Sequence, residues 1–399
     1  MPNQLSKAQV CLAGICSLIV TVGVARFSYT SLLPIMQVQA ELSDAMGGWL
    51  ATSNYMGYMF GVLLAASLTS LRYKYLLYRS YLILSILTTA GMMLTEHWLV
   101  WSLLRFVAGT CASAGLILAS GFILKWLVEQ QHRAELGIHF SGAGISILCT
   151  ALLVEFLSYL QVGWQGQWGV FAVVALLFSI PAWLWMPSPH KDPSSHNKEP
   201  VKDTPPSRQF MLLLLVAYFC AGYGFAINAT FIVDIVEGIE KLQGKGQWAF
   251  ALVGLAAIPA VIIWDLIARE IGYLKSLLIA YALQVVGIML LTLSDNLIVI
   301  SFSALLFGGT FIACVSLVLT MAGLLFPSNP AKFMGKMTLA YGVAQIVAPL
   351  CTGWLVQHLG NYHLGLYLAA LIMGLGVVLL MMLIKLERNQ SSAGQHKFL

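Results

Sequence analysis

Charge is what this sequence has least of. Only 9% of its 399 residues are Asp, Glu, Lys or Arg, whereas soluble domains run near 25%. A globular chain of this length could not coat its surface with so few charges, and a lipid-facing chain needs almost none. Catalytic signatures are missing as well: there is no HExxH, no GxSxG and no P-loop. Gly222-Tyr223-Gly224, Gly142-Ala143-Gly144 and Gly374-Leu375-Gly376 lack a third glycine and lie in apolar runs, not at strand-to-helix turns. These absences argue against an enzyme and against direct drive by ATP, which leaves an ion gradient as the energy source. Seven cysteines (11, 16, 111, 149, 220, 314 and 351) form no CxxC and sit in apolar runs. They read as small packing residues, so neither a disulfide framework nor a metal site is expected, and no cofactor is implied. A cleavage motif is absent too. The first apolar run passes Val24 and holds Arg26, so it reads as a retained span.

What the chain does have is length after length of apolar sequence. A spanning helix needs about 20 mostly apolar residues. Polar breaks divide the runs into twelve predicted spans: 8–35, 44–70, 76–94, 98–127, 137–160, 166–186, 210–236, 247–268, 273–293, 297–325, 333–357 and 363–384. The runs lack the alternation of barrel strands, so the expected fold is all-α, with the bilayer as solvent. With the N-terminus in the cytoplasm, seventeen Lys and Arg fall in inner segments and only two, Lys241 and Lys245, in outer loops. That bias fixes the orientation, with both termini inside. It also explains the formal charge of +5 by topology, with no call for a nucleic-acid partner. Residues 188–209 are polar and Pro-rich and read as a flexible cytoplasmic linker. The expected organisation is a six-helix half at 1–187, the linker, a second half at 210–385 and a tail at 386–399.

The halves share marks at a nearly constant offset. Gly23 matches Gly222 and Trp49 matches Trp248 at 199, while Gly109-Thr110 matches Gly309-Thr310 and Gly142 matches Gly342 at 200. Two parallel repeats about an axis normal to the membrane form a known transporter plan.

At this point the residues resemble a family. The six-plus-six plan with a central linker is similar to the major facilitator superfamily. Asp265, Arg269 and Gly272 follow that family's D-x-x-x-R-x-x-G motif in its second-half copy, while the first-half copy keeps Arg72 and Lys74 without an Asp. Arg105 followed by Gly109 resembles the helix-4 motif. Ser141-Gly142-Ala143-Gly144 resembles the glycine-rich helix-5 motif without its Gly-Pro. Arg26-Phe27-Ser28-Tyr29-Thr30-Ser31-Leu32-Leu33-Pro34 is similar to a signature of the bacterial YbfB/YjiJ-like transporters. The resemblance implies secondary transport of a small solute by alternating access, coupled to an ion, with H+ the expected one. It also implies a monomer in the bacterial inner membrane. The alternative is a non-transporting sensor or scaffold on the same fold.

Ionisable groups inside a bilayer cost about 2.5–3.5 kcal/mol each on insertion scales, so each needs a reason. Arg26 and Arg105 lie in the outer half of spans 1 and 4, about 10–12 Å deep at 1.5 Å per residue. Glu155 in span 5 and Asp234 in span 7 lie near the outer ends of theirs. Two readings stay open. The arginines hold an anionic solute or a proton-coupled acid, or one of them pairs with Glu155 in a purely structural bridge. Neither arginine has a basic counterpart, since Phe225 and Leu305 stand at the matching positions. Tyr29, on the expected face of Arg26, and Asn54 join the candidate site from the first half, with Tyr55 and Tyr58 beside them. Asn228, Thr230, Tyr341 and Gln345 are the neutral candidates of the second half. Gly57 and Gly61 read as close helix packing, and His139 reads as a packed residue. Asp265 and Arg269, four apart on one helix face, form a candidate cytoplasmic gate.

Overall fold

The computed structural model describes residues 5–132, 136–188, 206–326 and 330–392. Every regular element among them is helical: α1 (Lys7–Gln39), α2 (Asp44–Ser67), α3 (Leu71–Met92), α4 (Trp98–Leu127), α5 (Gly137–Tyr159), α6 (Trp164–Leu184), α7 (Arg208–Glu237), α8 (Gly246–Ile271), α9 (Tyr273–Leu293), α10 (Leu297–Leu325), α11 (Pro330–Leu359) and α12 (His363–Ser392). Ten of these are long and apolar enough to cross a membrane. The other two, α2 and α3, are long but less apolar. α2 carries Ser53, Asn54 and four glycines, and α3 opens on Arg72, Lys74 and Arg79. Most of the expected linker, at 189–205, lies outside the described residues, as do 393–399 of the expected tail. The first part of that tail is helical, because Leu386, Glu387 and Arg388 are good helix formers and extend α12.

Local chemistry explains the ends. Ser6 caps α1 through a reciprocal capping box with Gln9. Ser43, Ser207 and Asn296 accept from the first-turn amides of α2, α7 and α10. Gly272 separates α8 from α9 in a single residue. Its φ of +89° is a left-handed value that a side chain resists, and its N–H still reaches the Ala268 carbonyl at 2.9 Å. The motif glycine is therefore required by the turn itself.

Large apolar side chains such as Leu103, Leu177, Leu212, Ile298 and Leu371 are exposed along the outside of the bundle. In water such a surface would aggregate, and in a bilayer it meets hydrocarbon. Inside, helices approach through glycine. A Cβ on Gly109 of α4 would overlap the Asn54 carbonyl of α2, and a Cβ on Gly308 of α10 would overlap the Val253 carbonyl of α8. Both partners of the second contact lie 199 residues beyond those of the first. The packing equivalent of Gly109 is thus Gly308, one residue from the expected Gly309, whose Cβ position is open. Gly142 and Gly342 are not packing equivalents either, since Gly142 meets Ile15 and Leu18 of α1 while Gly342 meets Met59 of α2. Residue identity marked the right helices but not which neighbour each glycine faces.

The first six helices meet the last six through directed contacts. Thr30 Oγ1 donates to the Ala229 carbonyl at 2.5 Å, Gln247 Nε2 to the Ser31 carbonyl at 2.8 Å and Thr52 Oγ1 to the Ile346 carbonyl at 3.1 Å. The hydroxyls of Tyr55 and Thr230 lie 3.2 Å apart.

Candidate functional site: a buried arginine pair where the helix sets meet

Arg26 stands at the end of a π-helical stretch, Ile19–Phe27, inside α1. A π turn widens the backbone spiral, and such turns recur at functional sites. Arg105 of α4 takes two carbonyls at this point. Its Nη1 donates to Ala25 O at 2.9 Å and its Nη2 to Arg26 O at 3.4 Å. Asn54 Nδ2 of α2 donates to the Arg105 carbonyl at 3.0 Å. The Arg105 guanidinium also lies 4.4 Å from the centre of the Tyr29 ring, and the Tyr29 hydroxyl donates to Gly47 O at 2.9 Å. Tyr29 was expected beside Arg26. It lines the same cavity as Arg26, with its ring against Arg105. Arg105, Asn54 and Tyr29 thus act together to hold α1 against α2 and α4.

Arg26 is spent differently. It is 6% exposed, and its Nε and Nη2 are buried without an acceptor. Among the described residues neither arginine pairs with a carboxylate. Rings surround the Arg26 guanidinium instead, with centres 4.5 Å away for Tyr55, 5.3 Å for Tyr58 and 5.5 Å for Phe225 of α7. Leaving a buried charge unpaired costs several kcal/mol. Desolvated ring faces return about 2 kcal/mol or more, but they leave the N–H donors unmade. A cavity of about 10 Å³ lies between Arg26, Arg105, Asn54, Tyr55, Ala229 and Thr230, room for about one water. The helix sets are therefore closed over the arginines.

Of the neutral groups expected from the second set, Thr230 lines that cavity. Asn228 is buried, and both polar atoms of its amide lack a partner. Tyr341 lies 5.9 Å from Phe225 and 4.6 Å from Tyr218, ring centre to ring centre. Gln345, one turn on, is buried with its Oε1 unpartnered. Glu155 is not brought in. It is half-buried on α5 and is absent from the groups around either arginine. Asp234 joins a separate cluster: Gln37 Nε2 donates to Asp44 Oδ1 at 2.8 Å and to Asp234 Oδ2 at 3.2 Å, and the Tyr362 hydroxyl also donates to Asp234. Asp265 and Arg269 form an exposed pair at 2.5 Å. His139 is packed with its Nε2 3.2 Å from the Gly115 carbonyl. The sequence reading missed the ring wall of Phe225, Phe307, Phe311 and Tyr218. Phe225 entered it only as the absence of a second arginine.

A helical bundle with an apolar belt, closed around buried cations where two six-helix sets meet, defines a membrane transport protein of the major facilitator type. The chain belongs to the family described as "Uncharacterised MFS-type transporter YbfB", which it matches over residues 18–381. No curated protein matches it. Among solved structures it is similar to the nucleoside transporter NupG in a mutant form, with a TM-score of 0.72 at 12% identity over 95% of this chain and 99% of that one. It is also similar to NupG without that mutation, with a TM-score of 0.69 at 13% identity over 95% and 98%. At such identities the likeness carries the fold alone.

Proposed function

We propose that the chain is a secondary transporter that moves a small organic anion by alternating access, with Arg26 as the group that receives it. The observation that carries this reading is a deeply buried guanidinium with free donors, no carboxylate partner and a place on the seam between the helix sets. A cation that served only packing would have its donors met, as the terminal nitrogens of Arg105 are by α1 carbonyls. Arg105 positions the α1 segment that presents Arg26. NupG is described as a nucleoside transporter. A nucleoside is uncharged at neutral pH and would leave Arg26 unanswered, so the cargo is read from the site rather than from that neighbour.

The reading extends to twelve crossings in two six-helix halves of common descent, with the linker and both termini in the cytoplasm of a bacterial cell. It takes the protein as a monomer in the inner membrane and H+ as the coupling ion. The duplicated glycine contacts and the Lys/Arg bias support the topology. Asp234 supports the coupling. It is a carboxylate bound to groups from both helix sets, so taking up a proton would loosen the junction. Asp265 and Arg269 serve as the cytoplasmic gate. The test is uptake of a panel of organic anions into proteoliposomes under an imposed pH gradient, and by counterflow. Transport by the parent protein and its loss in Arg26→Gln is the expected result. No movement of any organic anion under either condition overturns the reading.

A further inference from the structure

The free part of Arg26 has a definite shape. Nε and Nη2 share one edge of the guanidinium, and two parallel N–H bonds along that edge match the two oxygens of a single carboxylate. Arg105 is already committed to the protein, since each of its terminal nitrogens donates to an α1 carbonyl and only its Nε is left without an acceptor. The Arg26 edge is therefore matched to a carboxylate.

The guanidinium lies among aromatic rings. Phe225, whose ring centre is 5.5 Å from the Arg26 guanidinium carbon, stacks on Phe311 at 5.4 Å and 29° and on Phe307 at 6.2 Å and 28°. Phe307 and Phe311 lie 5.3 Å apart at 22°. Near-parallel rings at such spacings are the offset-stacked arrangement that planar π systems prefer. One turn beyond Phe225, Asn228 holds an unused donor and an unused acceptor. An amide buried with nothing to bind costs stability, so its retention points to a ligand group.

We infer that the transported solute is an aromatic carboxylate, its carboxylate on the Arg26 Nε–Nη2 edge, its ring against Phe225 and a polar ring substituent on Asn228. The inference rests on the reading of Arg26 as the anion-receiving group and adds the chemistry of the remainder of the solute. The rings cover the guanidinium. When the solute enters, the carboxylate takes the N–H donors and the solute ring joins the stack.

Three probes separate the parts: benzoate, its saturated counterpart cyclohexanecarboxylate, and uncharged benzamide. Calorimetric titration of the purified full-length protein at neutral pH is expected to give benzoate a Kd about fivefold or more below that of cyclohexanecarboxylate. Benzoate should also bind about thirtyfold or more tightly than benzamide. Phe225→Leu should bring the two carboxylates within about twofold of each other, and Arg26→Gln should bring benzoate level with benzamide. If cyclohexanecarboxylate binds as well as benzoate, the aromatic inference is overturned while the anion reading stands. If benzamide binds as well as benzoate, or if no carboxylate binds, both readings fall. Should either variant fail to fold, the comparison of the three probes on the parent protein still decides.

Discussion

Arg26 on α1 and Phe225 on α7 stand 199 residues apart in sequence and 5.5 Å apart in space, guanidinium carbon to ring centre. Thr30 and Ala229 share that separation and are joined by the 2.5 Å hydrogen bond between the helix sets. Corresponding positions of the two sets therefore meet face to face, and at the key position one set offers a cation and the other a ring. The contrast extends outward. The first set supplies Arg105 and Asn54 to hold the cation's helix, and the second supplies stacked phenylalanines and unused amides. A frame with matching glycine contacts thus carries unlike chemistry on its two sides, and a solute bound between them would be gripped at a charged end and a flat end.

The largest effect is expected where the frame itself is tested. Gly308→Val would drive a side chain into the Val253 carbonyl. Overpacking of this kind costs about 1–3 kcal/mol or more, so little folded protein should be recovered. Gly309→Ala, one residue on, meets open space and should change the melting temperature hardly at all. Size-exclusion profiles and thermal unfolding in detergent compare the two. Equal behaviour would remove the 199-residue correspondence between Gly109 and Gly308.

Next in size is the charged side. Arg105→Ala removes both donors from the α1 carbonyls and should cut transport about thirtyfold or more, while the protein still inserts. Proteoliposome flux, normalised to inserted protein, measures it. Unimpaired flux would separate Arg105 from the site and leave Arg26 alone.

The ring side gives a smaller effect with opposite signs. Asn228→Leu replaces an unpartnered buried amide by an apolar group of similar size, which should raise stability by about 1 kcal/mol. The same change should lower flux severalfold, since the amide is assigned to the solute. A rise in stability with unchanged flux would return Asn228 to simple packing.

The two sides were not equally legible in the sequence. Arg26 and Arg105 announce themselves as charges inside apolar runs, and the runs themselves give most helices to within about five residues, α12 running eight past its expected end. Phe225, Phe307 and Phe311 do not, because an aromatic in an apolar helix looks the same whether it faces lipid, core or cargo. Depth along a helix was readable and direction was not. Glu155 lies in the same half of its helix as the arginines but on a face that does not reach them. Tyr29, expected on the face of Arg26, lines the same cavity and also stacks its ring on Arg105 of another helix, a contact that spacing within one helix does not reveal.

The smallest effect belongs to a contrast far from the site. Asp265 and Arg269 close the end of α8, while the corresponding positions at the end of α2, again 199 residues earlier, hold Ala66 and Ser70. The ion pair has both side chains more than a third exposed, and exposed pairs contribute about 0.2–1 kcal/mol. Asp265→Asn should therefore shift the unfolding temperature by only a degree or two. If the pair is a gate, that same small energy acts on the balance between forms open to opposite sides of the membrane, where 1.4 kcal/mol is tenfold in population and the expected change is up to about fivefold. Cysteine labelling on opposite faces of the seam reads that balance, and flux should change by no more than the same factor. A shift in labelling with unchanged melting marks a gate. Changes in neither mark a surface pair, and the second set's extra charges would then say nothing about which side opens.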